Sequence, residues 1–260
     1  MKTLAKSLAF LAFTLFTFSC SEDNPEQPQP QPQPGKVLDE WGQSMLQIEQ
    51  IATEMELLAR GTYANGSNFL ACSQVQNELD PDGLETTFTF SGSTCVDGKT
   101  RSGTISMFTS NKTNLEGVIF LDDFKVNGTT LEGAFAFQMV QVPGKAAALR
   151  LVSSNAQVIP ATGKSFSYSF NRVTHLKEGA GTMDDSSDDV VELYDADYSC
   201  LKQDGAFQAS LLSPVILKKS CAAPANTRPV QGKVLIKMTT GQQSTLNFGD
   251  GTCASQPYAE

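Results

Sequence analysis

The chain has 260 residues, of which 40% are hydrophobic and 18% charged, and its formal net charge at pH 7 is −9. This acidic balance does not favour binding to nucleic acid or to anionic lipid headgroups through the overall electrostatic field. With one histidine and no Cys-x-x-Cys pair among its six cysteines, the chain also lacks the spacing of a Cys/His zinc site.

The first residues have the pattern of a secretory signal. Two lysines precede an apolar run from Leu8 to Phe18, which is too short to span a bilayer as a permanent helix. Small Ser19 then precedes Cys20, and the stretch resembles a bacterial lipobox in which Thr17 and Phe18 replace the commoner residues. We therefore expect residues 1–19 to be a signal peptide and Cys20 to be lipidated. An ordinary signal peptide with a nearby cysteine is the alternative.

The residues after Cys20 predict how the protein is displayed. A cysteine that carries several acyl chains is anchored stably, so the membrane is one expected partner. The acidic stretch from Ser21 to Asn24 resembles the export signal of surface-exposed lipoproteins of the Bacteroidetes. This resemblance implies a location on the outer face of the outer membrane. Alternating proline and glutamine up to Gly35 favour a polyproline II spacer, so residues 20–35 are interpreted as an anchored tether.

The segment Leu38 to Arg60 predicts one amphipathic helix. Its apolar residues recur at alternating spacings of three and four, acidic residues occupy the first turn, and Arg60 lies in the last. Gly61 is placed to cap the C-terminus. The helix could pack against its own sheet or, because the spacing also fits a short coiled coil, against a partner helix.

From Phe69 onward the hydrophobic period changes to two. The clearest case is Ser165 to Asn171, where aromatic and polar residues alternate without exception, and Asn127-Gly128 predicts a hairpin turn. Many short strands separated by Gly and Asn predict a mainly β fold. We expect an antiparallel β-sandwich or curved sheet with one N-terminal helix, forming a single domain over residues 36–260.

Two segments are alike, and each ends in Thr-Cys. They are Phe88–Cys95 and Leu246–Cys253, and each has a cysteine upstream. Either a weak internal duplication or the limited choice of turn residues explains the likeness. Five cysteines remain after Cys20, in a compartment that permits disulfides. The likeness suggests pairing of Cys72 with Cys95 and of Cys221 with Cys253, which leaves Cys200; a Cys200–Cys221 bond is the competing choice.

Longer stretches carry a wider resemblance. The run from Cys95 to Ile105, the residues around Val126-Asn127-Gly128, and Phe248 to Cys253 are similar to a group of uncharacterised Bacteroidetes lipoproteins with C-x-D-G-x-x-R-x-G-x-I, V-N-G and G-x-G-x-C signatures. The resemblance implies a shared β fold and a surface location. It carries no known activity, so it assigns no functional residue.

No catalytic motif is present in the sequence. There is no G-x-S-x-G and no H-E-x-x-H. A catalytic triad would depend on His175, the single histidine, for which a surface position or a satisfied structural position is expected. One acidic cluster has a chemical interpretation. Asp184, Ser186 and Asp188 have the spacing of oxygen ligands in a calcium loop, although Asp189 stands where such a loop needs glycine. A solvated acidic loop is the alternative, and no other cofactor is expected.

These observations predict an outer-membrane, surface-exposed lipoprotein that is not an enzyme. Its body would have a binding, adhesion or structural role toward a glycan or a surface protein, and would not bind nucleic acid. The alternative is a surface-displayed glycan hydrolase that uses a pair of carboxylates. A cleft with two carboxylates about 5–10 Å apart would favour hydrolysis, whereas exposed aromatic side chains on a flat sheet would favour binding.

Overall fold

The computed structural model describes residues 36–63, 72–95, 97–111, 116–179, 189–221 and 228–260. Within these residues lie one α-helix, a short 3-10 helix at Lys219–Cys221, and twelve strands. The helix is α1 (Glu40–Tyr63), and the strands are β1 (Ser73–Asp80), β2 (Gly83–Thr94), β3 (Thr100–Asn111), β4 (Glu116–Val126), β5 (Thr129–Met139), β6 (Leu149–Ile159), β7 (Phe166–Glu178), β8 (Val190–Lys202), β9 (Gly205–Lys218), β10 (Arg228–Met238), β11 (Gln243–Asp250) and β12 (Tyr258–Ala259).

All twelve strands belong to one antiparallel sheet, and their order in the sheet is their order in the chain. Each strand therefore pairs with its sequence neighbours, and the described residues show no pairing between β1 and β12, so the sheet stays open. The predicted turn at Asn127-Gly128 is confirmed: both residues have positive φ, and Val126 pairs with Thr129 across it. The predicted mainly β, antiparallel fold with an N-terminal helix is also confirmed.

The helix begins two residues later than the sequence predicted, because Asp39 caps it instead of joining its first turn. The Asp39 carboxylate accepts a hydrogen bond from the backbone N–H of Gly42 at 2.7 Å. The predicted cap at Gly61 is wrong, since α1 continues through Gly61 to Tyr63. A glycine is tolerated inside the last turn of a helix at a modest entropic cost.

The helix is buried along most of its length. The apolar side chains that are nearly or fully buried include Met45, Ile48, Ala52, Met55 and Ala59. They join one core cluster with inward-facing residues of the strands from β2 to β11. A single helix can touch so many neighbouring strands only if the sheet curves around it. The helix thus packs against its own sheet, and the curved-sheet form of the prediction describes this arrangement.

The long strand β9 carries a proline, Pro214, in its interior. Proline lacks the N–H that a ladder needs, and it lies where the pairing of β8 with β9 is interrupted. Gly232 of β10 faces it with a positive φ, and a Cβ there would lie 2.4 Å from the Pro214 carbonyl oxygen. The irregular pairing therefore depends on this glycine.

Candidate interaction surface

The inner side of the sheet carries a buried ionic cluster. The fully buried guanidinium of Arg172 donates to Glu49 Oε1 at 2.8 Å and to Glu56 Oε2 at 3.0 Å, which joins β7 to α1. The Tyr198 hydroxyl donates to the other oxygen of Glu49 at 2.6 Å, and the Thr174 hydroxyl donates to Glu56. Both carboxylates are therefore satisfied inside the protein and are not presented to a ligand.

The two glutamates differ in how readily they take up a proton. Burial raises the pKa of Glu49, and this outweighs the opposing effect of Arg172 and Tyr198. Burial alone would also raise the pKa of Glu56, but the charges of Arg60 and Arg172 hold that pKa below its ordinary value. Arg60 reaches Glu56 at 2.8 Å, so this carboxylate lies between two cations. Glu49 is the group in this cluster that protonates more easily.

The remaining glutamates of α1 also pair with cations of the sheet. Glu54 contacts Lys99 and lies 3.6 Å from Arg101, near the start of β3. At the other end of the helix, Lys202 of β8 reaches the carboxylate of Glu40 at 3.1 Å. All four glutamates of α1 are thus paired, and the helix fills the concave side of the sheet. The convex side is therefore the face of the sheet that is open to a ligand.

The convex side carries a band of apolar side chains on four adjacent strands. Its largest exposed side chain is Phe120 of β4, with 49% of its surface accessible. Cross-strand partners point to the same face of a sheet, and the register pairs Phe120 with Ala134 and links Phe108, Val118, Ala136 and Val152 in a row. We call these six residues the outer strip: Phe108, Val118, Phe120, Ala134, Ala136 and Val152. None of the six is buried.

Polar side chains border the outer strip. On β4, Glu116 lies two residues before Val118 and Asp122 lies two residues after Phe120, and both are exposed. Glu132 is exposed on β5. Arg150 of β6 is directly opposite Gln138 and is also exposed. Protein contact surfaces have an apolar centre and a polar border. The outer strip and its largely acidic border have this arrangement.

A second polar cluster lies on the convex side of β7 and β8. Lys145, in the turn that follows β5, places its Nζ 3.0 Å from His175 Nε2 and 2.9 Å from Glu192 Oε1. The same ammonium lies 4.5 Å from the centre of the Tyr194 ring. The hydrogen bond from Lys145 holds the pKa of Glu192 below its ordinary value, against the opposing effect of burial, and His175 adds to the lowering. His175 therefore has the satisfied structural position that its sequence context predicted.

A carboxylate pair that fits the hydrolase alternative lies near the edge of the sheet. Glu78 of β1 and Glu85 of β2 are register partners and line a cleft of about 490 Å³ with Gln76, Asn77 and Thr87. Directly opposed residues of an antiparallel pair have Cβ atoms about 4.5–5.5 Å apart, which is short enough for two carboxylates to act on one bond.

The sequence-predicted site residues fall into two groups. Cys20, Asp184, Ser186 and Asp188 lie outside the described residues. The four cysteines of the other group form two disulfides, Cys72–Cys95 and Cys221–Cys253, which is the suggested pairing and not the competing one. The remaining cysteine, Cys200, is a buried free thiol. Within the described ranges, no group of three or more His, Cys, Asp or Glu side chains is arranged to hold a metal ion.

Sequence reasoning did not identify the outer strip, the Lys145 cluster or the Glu78–Glu85 pair. The strip was detectable in part, because Val118 and Phe120 alternate with buried residues of β4. The carboxylate pair was also detectable, since Pro81-Asp82 between Asp80 and Gly83 is a turn signal that pairs β1 with β2. Lys145 reaches its partners from 30 and 47 residues away, and no local pattern reports such a contact.

Comparison with known proteins finds no matching family model, no similar curated protein and no similar solved structure. In the part of the chain that the structure describes, no helix has both the length and the apolar character needed to cross a membrane.

Proposed function

We propose that the chain is an outer-membrane, surface-exposed lipoprotein whose β-rich body binds a partner by contact and does not convert a substrate. The anchor would be Cys20, and the Pro-Gln tether would hold the body away from the lipid headgroups. The partner would be a glycan or another protein displayed outside the cell.

The observation that carries the binding role is the outer strip. The concave side of the sheet is filled by α1, whose four glutamates are all paired, so the convex side is the face left for a partner. There Phe120 stands between small neighbours and offers an accessible aromatic ring. Exposed aromatic side chains contribute much of the binding energy at contact surfaces. The acidic border disfavours a strongly anionic partner.

The hydrolase alternative is supported by Glu78 and Glu85. Retaining and inverting glycosidases both need two carboxylates at a set separation, and this pair is directly opposed across two strands. The pair lines an open cleft, and neither side chain has a hydrogen bond or ion pair among the described residues that would distinguish an acid from a base. For this reason we place contact binding first.

The test of the binding surface is a substitution at its centre. Soluble protein starting at Ser21 is applied to a panel of polysaccharides and purified outer-membrane proteins, and retention is compared with that of Phe120→Ser. We expect Phe120→Ser to weaken retention at least about tenfold. Leu201→Ser is the matched control, because Leu201 is 62% exposed on the same sheet but lies outside the strip. Equal losses in the two variants would refute the proposed surface.

The anchor is tested separately in cells. Cys20→Ala is expected to abolish acylation and to release the protein from the membrane fraction, because a Pro-Gln tether alone has no affinity for lipid. Membrane fractionation with an antibody to the body measures this. A variant that still fractionates with the outer membrane would show that the lipid on Cys20 is not the anchor.

A further inference from the structure

One lysine joins a short turn to the convex side of the sheet. Residues 141–147 form this turn between β5 and β6, which the Val140 N–H closes by donating to the Ala148 carbonyl at 2.9 Å. Lys145 projects from the turn onto His175 and Glu192. The turn also forms part of the wall of a cleft of about 670 Å³, lined mainly by residues 138–148.

His175 Nε2 cannot serve both of its neighbours at once. It lies 3.0 Å from Lys145 Nζ, which can only donate, and 3.2 Å from Glu192 Oε1, which as a carboxylate can only accept. An unprotonated Nε2 accepts from Lys145. When both ring nitrogens carry protons, Nε2 donates to Glu192, and Lys145 then faces a second cation at hydrogen-bond distance.

We propose that residues 141–147 are a proton-operated latch: when His175 becomes charged, it takes Glu192 as its partner, repels Lys145 and releases the turn. The charged ring keeps two acceptors, because its Nδ1 lies 3.4 Å from the Leu176 carbonyl oxygen. This inference does not depend on the proposed binding function.

The charged groups around His175 favour this exchange. Glu192 is the carboxylate that faces the ring from β8, and Lys177 of β7 already lies 3.6 Å from its second oxygen. Three cationic groups would then share one carboxylate after protonation, and Lys145 is the one that is carried on a turn. Tyr194 contacts Lys145 and the imidazole edge but offers no negative charge while its phenol is protonated.

One contact would still hold the far end of the turn after the Lys145 side chain leaves, because Arg60 Nη1 of α1 donates to the Ala147 carbonyl at 3.0 Å. The backbone hydrogen bond from the Lys145 N–H to the Val142 carbonyl, at 3.1 Å, lies in the part of the turn that loosens. Release is therefore local: the wall of the cleft formed by residues 141–145 loosens while the sheet stays folded. The Lys145 amide is the reporter of this change, since its hydrogen bond closes the turn.

Hydrogen exchange and histidine NMR together test the latch. His175 is the single histidine of the chain, so its ring resonance reports one site. In the wild-type protein we expect the protection of the Lys145 amide, corrected for intrinsic exchange, to fall at least about tenfold over the pH range in which the ring resonance shows His175 becoming charged. The amide of Val140 should keep its protection, because its bond to Ala148 does not involve the latch.

His175→Gln separates the latch from general acid loosening, since glutamine can accept from Lys145 but does not titrate. Its Lys145 amide should keep a constant corrected protection over the same pH range. Lys164→Gln, which removes an exposed ion pair with Asp204, should behave as the wild type does. The proposal is overturned if His175→Gln loses protection as the wild type does, or if the wild-type amide stays protected while His175 becomes charged.

Discussion

Arg172 and Glu49 form an ion pair at 2.8 Å in which both side chains are almost completely excluded from solvent. Arg172 lies on β7 near the middle of the sheet, and Glu49 lies in the middle of α1. The pair fixes the helix along and around its axis, because Glu56, two turns further on, binds the same guanidinium. The curved sheet is therefore matched to its own helix by charge as well as by apolar packing.

Removing the guanidinium should destabilise the body strongly. Arg172→Met leaves two buried carboxylates without their common cation, and we expect a loss of about 3–5 kcal/mol in the free energy of unfolding. Arg150→Met, on the exposed face of β6, is the matched control and should change it by less than about 0.5 kcal/mol. Urea unfolding measures both. Similar losses would show that the buried cluster does not hold the helix in place.

Two buried tyrosines should respond oppositely to loss of the hydroxyl. Among the described residues the Tyr168 hydroxyl is buried and has no hydrogen-bond partner, whereas the Tyr198 hydroxyl donates to Glu49. Tyr168→Phe should therefore keep or raise the free energy of unfolding, and Tyr198→Phe should lower it by about 1.5–3 kcal/mol. Thermal and urea unfolding of the two variants check this. A loss of similar size in Tyr168→Phe would mean that its hydroxyl is satisfied in solution.

The two glutamates of the cluster should shape the pH dependence of stability in opposite directions. Burial raises the pKa of Glu49 in the folded state. The free energy of unfolding that this shift contributes is therefore fully present below the unfolded-state pKa and is lost as the pH rises through the folded-state pKa. The pKa of Glu56 is lowered by Arg60 and Arg172 despite burial, so its contribution is present above the unfolded-state value and is lost on acidification through the folded-state value.

Unfolding free energies measured across acid and neutral pH separate these effects. As the pH rises above the ordinary glutamate pKa, the unfolding free energy of Glu49→Gln should increase relative to that of the wild type, because the variant lacks the buried carboxyl whose ionisation is unfavourable. Glu56→Gln should lose less stability than the wild type on acidification below that range. Two profiles parallel to that of the wild type would contradict the assigned pKa directions.

The thiols give a further, independent check on the fold. Cys200 is buried, and burial raises the pKa of its thiol to about 12, so little reactive thiolate forms at neutral pH. In the unreduced body starting at Ser21, we expect one titratable thiol, which reacts at least about a hundredfold faster in denaturant than in the native state. Peptide mapping should recover Cys72 with Cys95 and Cys221 with Cys253. A thiol that reacts rapidly in the native protein would argue against this core.

The sequence predicted those features of the fold that depend on local pattern. Alternation in Ser165 to Asn171 and the Asn127-Gly128 turn specify strands and a hairpin, because both depend on residues close in the chain. The partners of the charged helix residues could not be predicted in this way. Glu49 and Arg172 are 123 residues apart, and their pairing depends on the curvature of the whole sheet.

The candidate surface was harder to predict for a related reason. Whether Phe120 faces the core or the solvent depends on the register of β4 and on which side of the sheet α1 occupies. A shift of register by one residue would exchange the two faces. The proposed anchor, in contrast, rests on a short contiguous pattern that ends at Cys20, which can be recognised without any tertiary information.

The most direct test of contact binding against turnover is a time course on a panel of polysaccharides with soluble protein starting at Ser21. Retained protein and newly formed reducing ends are measured in the same samples for the wild type, Phe120→Ser, Glu78→Gln and Glu85→Gln. Contact binding predicts saturable retention that Phe120→Ser abolishes, with no increase in reducing ends over time. Steady release of reducing ends by the wild type, stopped by Glu78→Gln or Glu85→Gln, would show instead that the body is a glycan hydrolase.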